Sequence, residues 1–95
     1  MRKKTEKQAP TLASLRKRID AIDVSLVKLL SERAEKASVI GSRKKDLGLK
    51  IRDRDRETKV LARIARMNKG PLKDRALKSI CRRIMTVCSE VQKKK

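Results

Sequence analysis

Apolar residues recur every three or four positions over the first half of the chain, from Leu12 to Ile40. This spacing is typical of an amphipathic helix, and it continues as far as Gly48. We therefore predict one helix over residues 12–46, with Thr11 as its N-terminal cap. At 1.5 Å per residue this helix would be roughly 50 Å long, far more than a compact domain of this size can cover. Its apolar stripe needs cover from a second chain, so the pattern predicts a dimer.

Two shorter helices follow the first. The pattern predicts a second helix over residues 53–68, where Asp53 and Asp55 suit the positive N-terminal end. The pair Gly70-Pro71 ends this helix and opens a third, which continues to about residue 92. The chain is therefore predicted to be all-α, with three helices of which the first is the longest.

The composition narrows the class of protein. The 95 residues suffice for one domain, 42% of them are charged, and none is Phe, Tyr, Trp or His. The remaining apolar residues favour helices over sheets. The absence of His argues against a zinc site. No apolar run approaches the roughly 18 residues that a membrane-spanning helix requires, so no membrane partner is expected.

The two cysteines, Cys81 and Cys88, lie seven residues apart on the predicted third helix. About 10 Å of helix axis separates residues at that spacing. This distance prevents a disulfide between them within the helix. We therefore predict two reduced core cysteines and a cytoplasmic protein.

The net charge of +18 attracts anions in general, including nucleic acid, acidic lipid and small polyanionic metabolites. Part of the charge is at the ends of the chain. Residues 1–10 are predicted to be a basic, disordered N-terminal tail and residues 93–95 a basic C-terminal tail, around a domain over residues 11–92. The charge alone does not choose among the possible partners.

Several polar residues fall on the apolar faces of the predicted helices. On a helical wheel, Arg33 and Lys44 lie within roughly 20° of Leu26, and Glu57 lies equally close to Ile64. Other polar residues and a cysteine lie in or beside these stripes: Arg16, Asp53, Cys88 and Gln92.

Cations on an apolar stripe need partners, because burying an unpaired charge is unfavourable. One interpretation is structural: Arg33 pairs with Glu57, or Lys44 with Asp53, in interhelical ion pairs that set the register of the helices. The other is functional: the cations bind an anion in a pocket between helices, where helical bundles often hold ligands. The pattern leaves both interpretations open.

Four parts of the sequence together resemble the all-helical, AroQ-type chorismate mutase family: LRKRIDAID (15–23), LLSERAEKASVIGSRKK (29–45), IRDRDRE (51–57) and the pair Cys88 and Gln92. The similarity covers about residues 12–92. The resemblance implies a homodimer of intertwined three-helix chains, whose long first helices pair. It also implies two active sites, each drawing on both subunits.

The activity implied by this resemblance is the Claisen rearrangement of chorismate, a dianion, to prephenate in aromatic amino-acid biosynthesis. The family reaction uses no cofactor and no metal. Arg33 would bind one carboxylate, and Arg16 of the partner subunit would help to bind the other. Lys44 and Gln92 would donate hydrogen bonds to the ether oxygen as negative charge grows on it.

The resemblance implies further contacts with the substrate. Glu57 would accept a hydrogen bond from the ring hydroxyl, Asp53 would contribute mainly through its backbone, and Arg56 would support the wall of the site. Ile40 matches an apolar lining position. Cys88 stands where some family members have a Ser that bonds a carboxylate. Because a thiol is a weaker donor, we expect packing or a modest contact at that position.

Three other functions fit parts of the sequence. An isochorismate pyruvate lyase of the same fold would use similar cations, although the DRDRE segment with Glu57 favours the mutase. A basic helical dimer that binds nucleic acid would explain the charge. It would need exposed cations, however, and the chain lacks aromatic residues for base stacking. A purely structural helical dimer is the third alternative.

Overall fold

The computed structural model describes residues 9–93, which form three α-helices joined by short loops. Helix α1 spans Leu12–Leu47, α2 spans Arg54–Met67 and α3 spans Asp74–Lys93. Because no strand occurs between residues 9 and 93, the predicted all-α class is confirmed. Over the same residues, no helix has both the length and the apolar character needed to cross a membrane.

Both ends of α1 are capped. The hydroxyl of Thr11 accepts a hydrogen bond of 3.0 Å from a backbone N–H of the first turn, which confirms the predicted cap. At the other end Gly48 has a φ of 71°, a left-handed conformation that costs glycine little. The Gly48 N–H donates to the carbonyl of Lys45, and the Leu49 N–H donates to the carbonyl of Lys44. The helix therefore ends in a Schellman motif.

The packing divides the chain into two compact units, whose described parts are residues 9–31 and residues 32–93. In the described part of the first unit every side chain is exposed, including Ile19, Ile22 and Leu29, which are 56–62% accessible. Monomeric proteins rarely leave such a continuous apolar stripe in water. The stripe is the surface that the predicted dimer would cover.

The second unit has a small core in which α2 packs against α3. Its buried apolar side chains are Ala37 of α1, Val60 of α2, and Met85 and Cys88 of α3. Among the residues that the structure describes, no large side chain is completely buried. One chain alone therefore covers little of its own apolar surface.

The predicted start of α3 and the predicted assignment of Lys93 both differ from the structure. Helix α3 begins at Asp74 and not at Pro71, because the side-chain amide of Asn68 donates to the Leu72 carbonyl and to the Asp74 carboxylate. These bonds order a loop ahead of the helix. Lys93, assigned to the C-terminal tail, is the last residue of α3. The rest of that tail and the first eight residues of the predicted N-terminal tail lie outside the described residues.

Candidate active site

A cavity of about 450 Å³ lies within the second unit, with walls from all three helices and the loop before α2. This volume is within the range of small-molecule sites. Eight of the nine residues predicted for the site line it: Arg33, Ile40, Lys44, Asp53, Arg56, Glu57, Cys88 and Gln92. Residues far apart in the sequence are thus brought to one small space.

The ninth predicted residue, Arg16, belongs to the first unit, and its side chain is exposed. All residues that line the cavity belong to the second unit. A contribution of Arg16 from a partner subunit therefore stays a prediction.

Lys44 and Gln92 are joined inside the cavity. The Lys44 ammonium donates to the carbonyl oxygen of Ile51 at 2.6 Å and to Oε1 of Gln92 at 3.3 Å. An ammonium has three protons and cannot accept, so one proton remains for a ligand. Because Gln92 turns its oxygen to the ammonium, its NH₂ group is available to donate elsewhere. Two donors are thereby held side by side.

The position of Gln92 depends on a close approach between α1 and α3. A Cβ atom added to Gly41 would lie 2.9 Å from the Cα, Cβ and carbonyl oxygen of Gln92. Such contacts are too short for a side chain, so only glycine permits this separation. Gly41 lies one turn before Lys44 on α1. It therefore helps to set the distance between the two donors.

The start of α2 is organised by Asp53. The Asp53 backbone is extended, and its side chain accepts a hydrogen bond of 3.0 Å from the Arg56 N–H. This is an N-terminal cap, and it explains why α2 begins one residue later than predicted. The carboxylate of Asp53 thus has a structural role beside the predicted role of its backbone.

Glu57 has a partner that the sequence patterns did not predict. Nε of Arg52 donates to Oε2 of Glu57 at 2.7 Å, and Nη2 donates to Oε1 at 2.8 Å. The hydrogen bond with Glu57, followed by the charge of the carboxylate, raises the pKa of Arg52 above its ordinary value. This is the two-point contact that a guanidinium makes with a carboxylate.

The structural interpretation of Arg33 and Lys44 is therefore wrong about the ion pairs that these two residues form. Among the described side chains, Glu57 pairs with Arg52 and not with Arg33. Lys44 binds a carbonyl and an amide, while Asp53 caps α2. Neither predicted interhelical ion pair forms, so the cations of the cavity are not consumed by its acids.

The cavity wall is predominantly cationic. Four basic residues and two acidic residues line it: Arg33, Lys36, Lys44, Arg56, Asp53 and Glu57. One of the two acids is already paired with Arg52, which lines a neighbouring depression. Such a wall suits a small ligand with more than one negative charge.

Two polar residues of the wall were missed by the sequence patterns. Lys36 lies three residues after Arg33 and four before Ile40. Residues at these spacings lie on the same side of a helix, so the position of Lys36 in the cavity wall could have been predicted. Ser89 is buried beside Cys88, and it supplies a hydroxyl to the wall. Cys88 is itself buried and belongs to both the core and the cavity.

Comparison with known proteins shows which family the chain resembles. The family model described as chorismate mutase type II matches residues 15–93. A bifunctional chorismate mutase/prephenate dehydratase of Aquifex aeolicus is 39% identical over 87 residues, which is 87% of this chain and 24% of that protein. A chorismate mutase of Methanocaldococcus jannaschii is 40% identical over 58 residues, covering 61% of this chain and 59% of the relative.

The fold has a solved counterpart. A chorismate mutase from Thermus thermophilus (form II) superposes with a TM-score of 0.85 at 29% identity, covering 86% of this chain and 93% of the other. The chain spans about a quarter of the length of the bifunctional relative. The match to the Thermus structure covers nearly the whole of that chain.

Proposed function

Because the chain belongs to the chorismate mutase type II family, we propose that it catalyses the Claisen rearrangement of chorismate to prephenate. The observation that carries the proposal is the pair of donors, Lys44 and Gln92, joined at 3.3 Å in a cationic cavity. The reaction is intramolecular: the ether C–O bond breaks while a new C–C bond forms. It requires hydrogen-bond donors and a cavity of complementary shape. It requires neither a nucleophile nor a proton transfer.

The substrate carries two carboxylates, and arginine is the residue best suited to bind each of them. Arg33, on the α1 side of the wall, binds one carboxylate through its planar fork. Arg16 of the partner subunit binds the other. Holding both ends favours the folded, chair-like conformer that reacts, so positioning supplies part of the rate.

Lys44 and Gln92 stabilise the charge that develops as the C–O bond stretches. The third proton of the Lys44 ammonium and the NH₂ group of Gln92 donate to the ether oxygen. The Ile51 carbonyl and the mutual hydrogen bond hold both groups beforehand. Donors fixed in this way need little reorganisation at the moment of reaction.

The other lining residues complete the site. Glu57 accepts a hydrogen bond from the ring hydroxyl of the substrate, and Asp53 contributes through its backbone near the start of α2. Arg56 supports the wall, and Ile40 supplies apolar contact. Cys88, which is buried, mainly packs against the neighbouring helices.

The proposed active form is a homodimer with two shared sites. The exposed apolar stripe of the first unit and the small core of the second support this assembly. We place the catalytic domain at residues 11–92. We also place the protein in the cytoplasm and assign it to aromatic amino-acid biosynthesis. Prephenate is the compound that the dehydratase named in the Aquifex relative would consume.

The purified full chain tests the proposal. We expect chorismate to disappear and prephenate to form in equal amounts, many times faster than in buffer. A rate equal to that in buffer would reject the mutase. In a parallel assay with isochorismate, release of pyruvate in the absence of prephenate formation from chorismate would assign the lyase activity instead.

A further inference from the structure

We propose that Arg52 is a positioning residue for Glu57, which holds the Glu57 carboxylate at the cavity wall in the orientation that accepts the substrate hydroxyl. This inference rests on the proposed function, because the hydroxyl contact of Glu57 belongs to that function. Glu57 lines the cavity. Arg52 lines an adjoining depression together with Lys50 and Arg54. Arg52 therefore acts on the substrate through Glu57.

The contact fixes the plane of the carboxylate. A single hydrogen bond would let the Glu57 carboxylate rotate about that bond. Here two parallel bonds of 2.7 and 2.8 Å join the guanidinium and both carboxylate oxygens. Such a two-point contact sets both the position and the orientation of the group.

The pairing leaves Glu57 able to accept another hydrogen bond. A carboxylate has about four lone-pair sites, two on each oxygen. Arg52 occupies one site on each oxygen. The remaining sites can receive the substrate hydroxyl, so the ion pair orients the acceptor without consuming it.

Arg52 is itself held by its neighbours in the sequence. The carbonyl of Ile51 accepts from the Lys44 ammonium, and the side chain of Asp53 caps α2. The N–H of Glu57 donates to the Asp53 carbonyl at 3.0 Å. The residues on both sides of Arg52 are thus anchored, and the orientation of Glu57 is linked to the place where Lys44 is bound.

The ion pair is expected to affect substrate binding more than stability. The Arg52 and Glu57 side chains are 44% and 23% accessible, and ion pairs with such exposure contribute little to folding. The substrate hydroxyl is present before and during the reaction. A contact with it acts on ground state and transition state alike, so its loss raises KM and leaves kcat nearly unchanged.

The first experiment measures kcat and KM of Arg52→Gln, Arg52→Lys and the matched control Arg54→Gln. The control removes the same charge from an exposed arginine two residues away. We expect Arg52→Gln to raise KM about tenfold, the lower end of the effect of losing a hydrogen bond to a charged group. Arg52→Lys should lie between this variant and the wild type, because lysine keeps the charge without the fork. Arg54→Gln should match the wild type.

The second experiment is a double-mutant cycle with Glu57→Gln. We expect Arg52→Gln to have little further effect on KM when Glu57 has already been replaced, since its role passes through that residue. An undiminished effect in the Glu57→Gln background would overturn the proposal in favour of direct contact between Arg52 and the substrate. A lower kcat at unchanged KM would also overturn it, because this pattern reports either an interaction lost only in the transition state or a smaller fraction of folded protein.

The two proposals fail differently. An inactive wild-type chain would reject the mutase function, and the role of Arg52 with it. An active wild type whose Arg52→Gln variant equals Arg54→Gln in both constants would reject only the positioning role.

Discussion

Lys44 contacts more than one part of the candidate site. Its backbone carbonyl accepts the hydrogen bond that closes α1, and its ammonium binds the Ile51 carbonyl and Gln92. These contacts limit the orientations that the side chain can adopt. A donor restrained in this way is the preorganised kind that stabilises charge in a transition state.

Replacing either donor should lower kcat. We expect Lys44→Ala and Gln92→Ala each to reduce kcat by about 10²–10³, the usual effect of losing one such donor. Steady-state kinetics on variants with wild-type circular dichroism would measure this effect. Arg43→Ala is the matched control, since Arg43 is an exposed cation one residue away on α1. Losses smaller than about tenfold in both folded variants would contradict the assigned roles.

At the scale of elements, the site depends on how closely α3 approaches α1. Gly41 permits this approach, because any Cβ there would meet the Gln92 backbone at 2.9 Å. Alanine normally favours a helix over glycine by about 1 kcal/mol. Overpacking of a tight contact costs about 1–3 kcal/mol and moves the backbone. The second effect should dominate at this position.

We therefore expect Gly41→Ala to lower both the midpoint of thermal unfolding and kcat. A shift of the Gln92 donor approaching 1 Å can reduce the rate by up to about 10². Unfolding curves and steady-state kinetics on the same preparation test this. Gly70→Ala serves as the control, because a Cβ added there meets no atom within 4 Å beyond the glycine itself and its two chain neighbours. A more stable and fully active Gly41→Ala variant would refute the close-packing argument.

Periodicity was sufficient to predict the helices but not their contacts. The predicted first helix over residues 12–46 ends one residue from the observed Leu47. The start of α3 was missed because hydrogen bonds of the Asn68 side chain, which periodicity does not report, delay it to Asp74. Local pattern thus describes an element, and tertiary contacts adjust its ends.

The candidate site was predictable to a similar extent. The helical wheel and the family resemblance identified most of the residues that line the cavity. They could not identify Arg52 as the partner of Glu57, because the choice between Arg52 and Arg33 depends on distances across the site. Lys36 was overlooked since a lysine is ordinarily read as solvent-exposed.

At the scale of the whole molecule, one chain leaves a large apolar surface uncovered. Every described side chain of its first unit is exposed, and the apolar ones form a stripe along α1. In the proposed dimer, Arg16 and Arg33 of each site come from different chains. The assembly can therefore be tested by catalysis itself.

Mixing two inactive variants should restore activity. Arg16→Ala and Arg33→Ala each disable both sites of their own homodimer. A hybrid dimer has one site that lacks both arginines and one that is intact. Random exchange of equal amounts makes about half of the dimers hybrids, so about a quarter of wild-type activity should return. No recovery after demonstrated subunit exchange would mean that each site lies within one chain.

The exposed apolar stripe on α1 suggests that activity depends on the concentration of the chain. If two chains complete each site, mass action governs how many sites exist. Well below the dissociation constant of the dimer, the rate then grows with the square of the chain concentration and not in proportion to it. In that assembly cellular abundance would be a variable in the rate law, and modest changes in synthesis would be amplified in the flux of product.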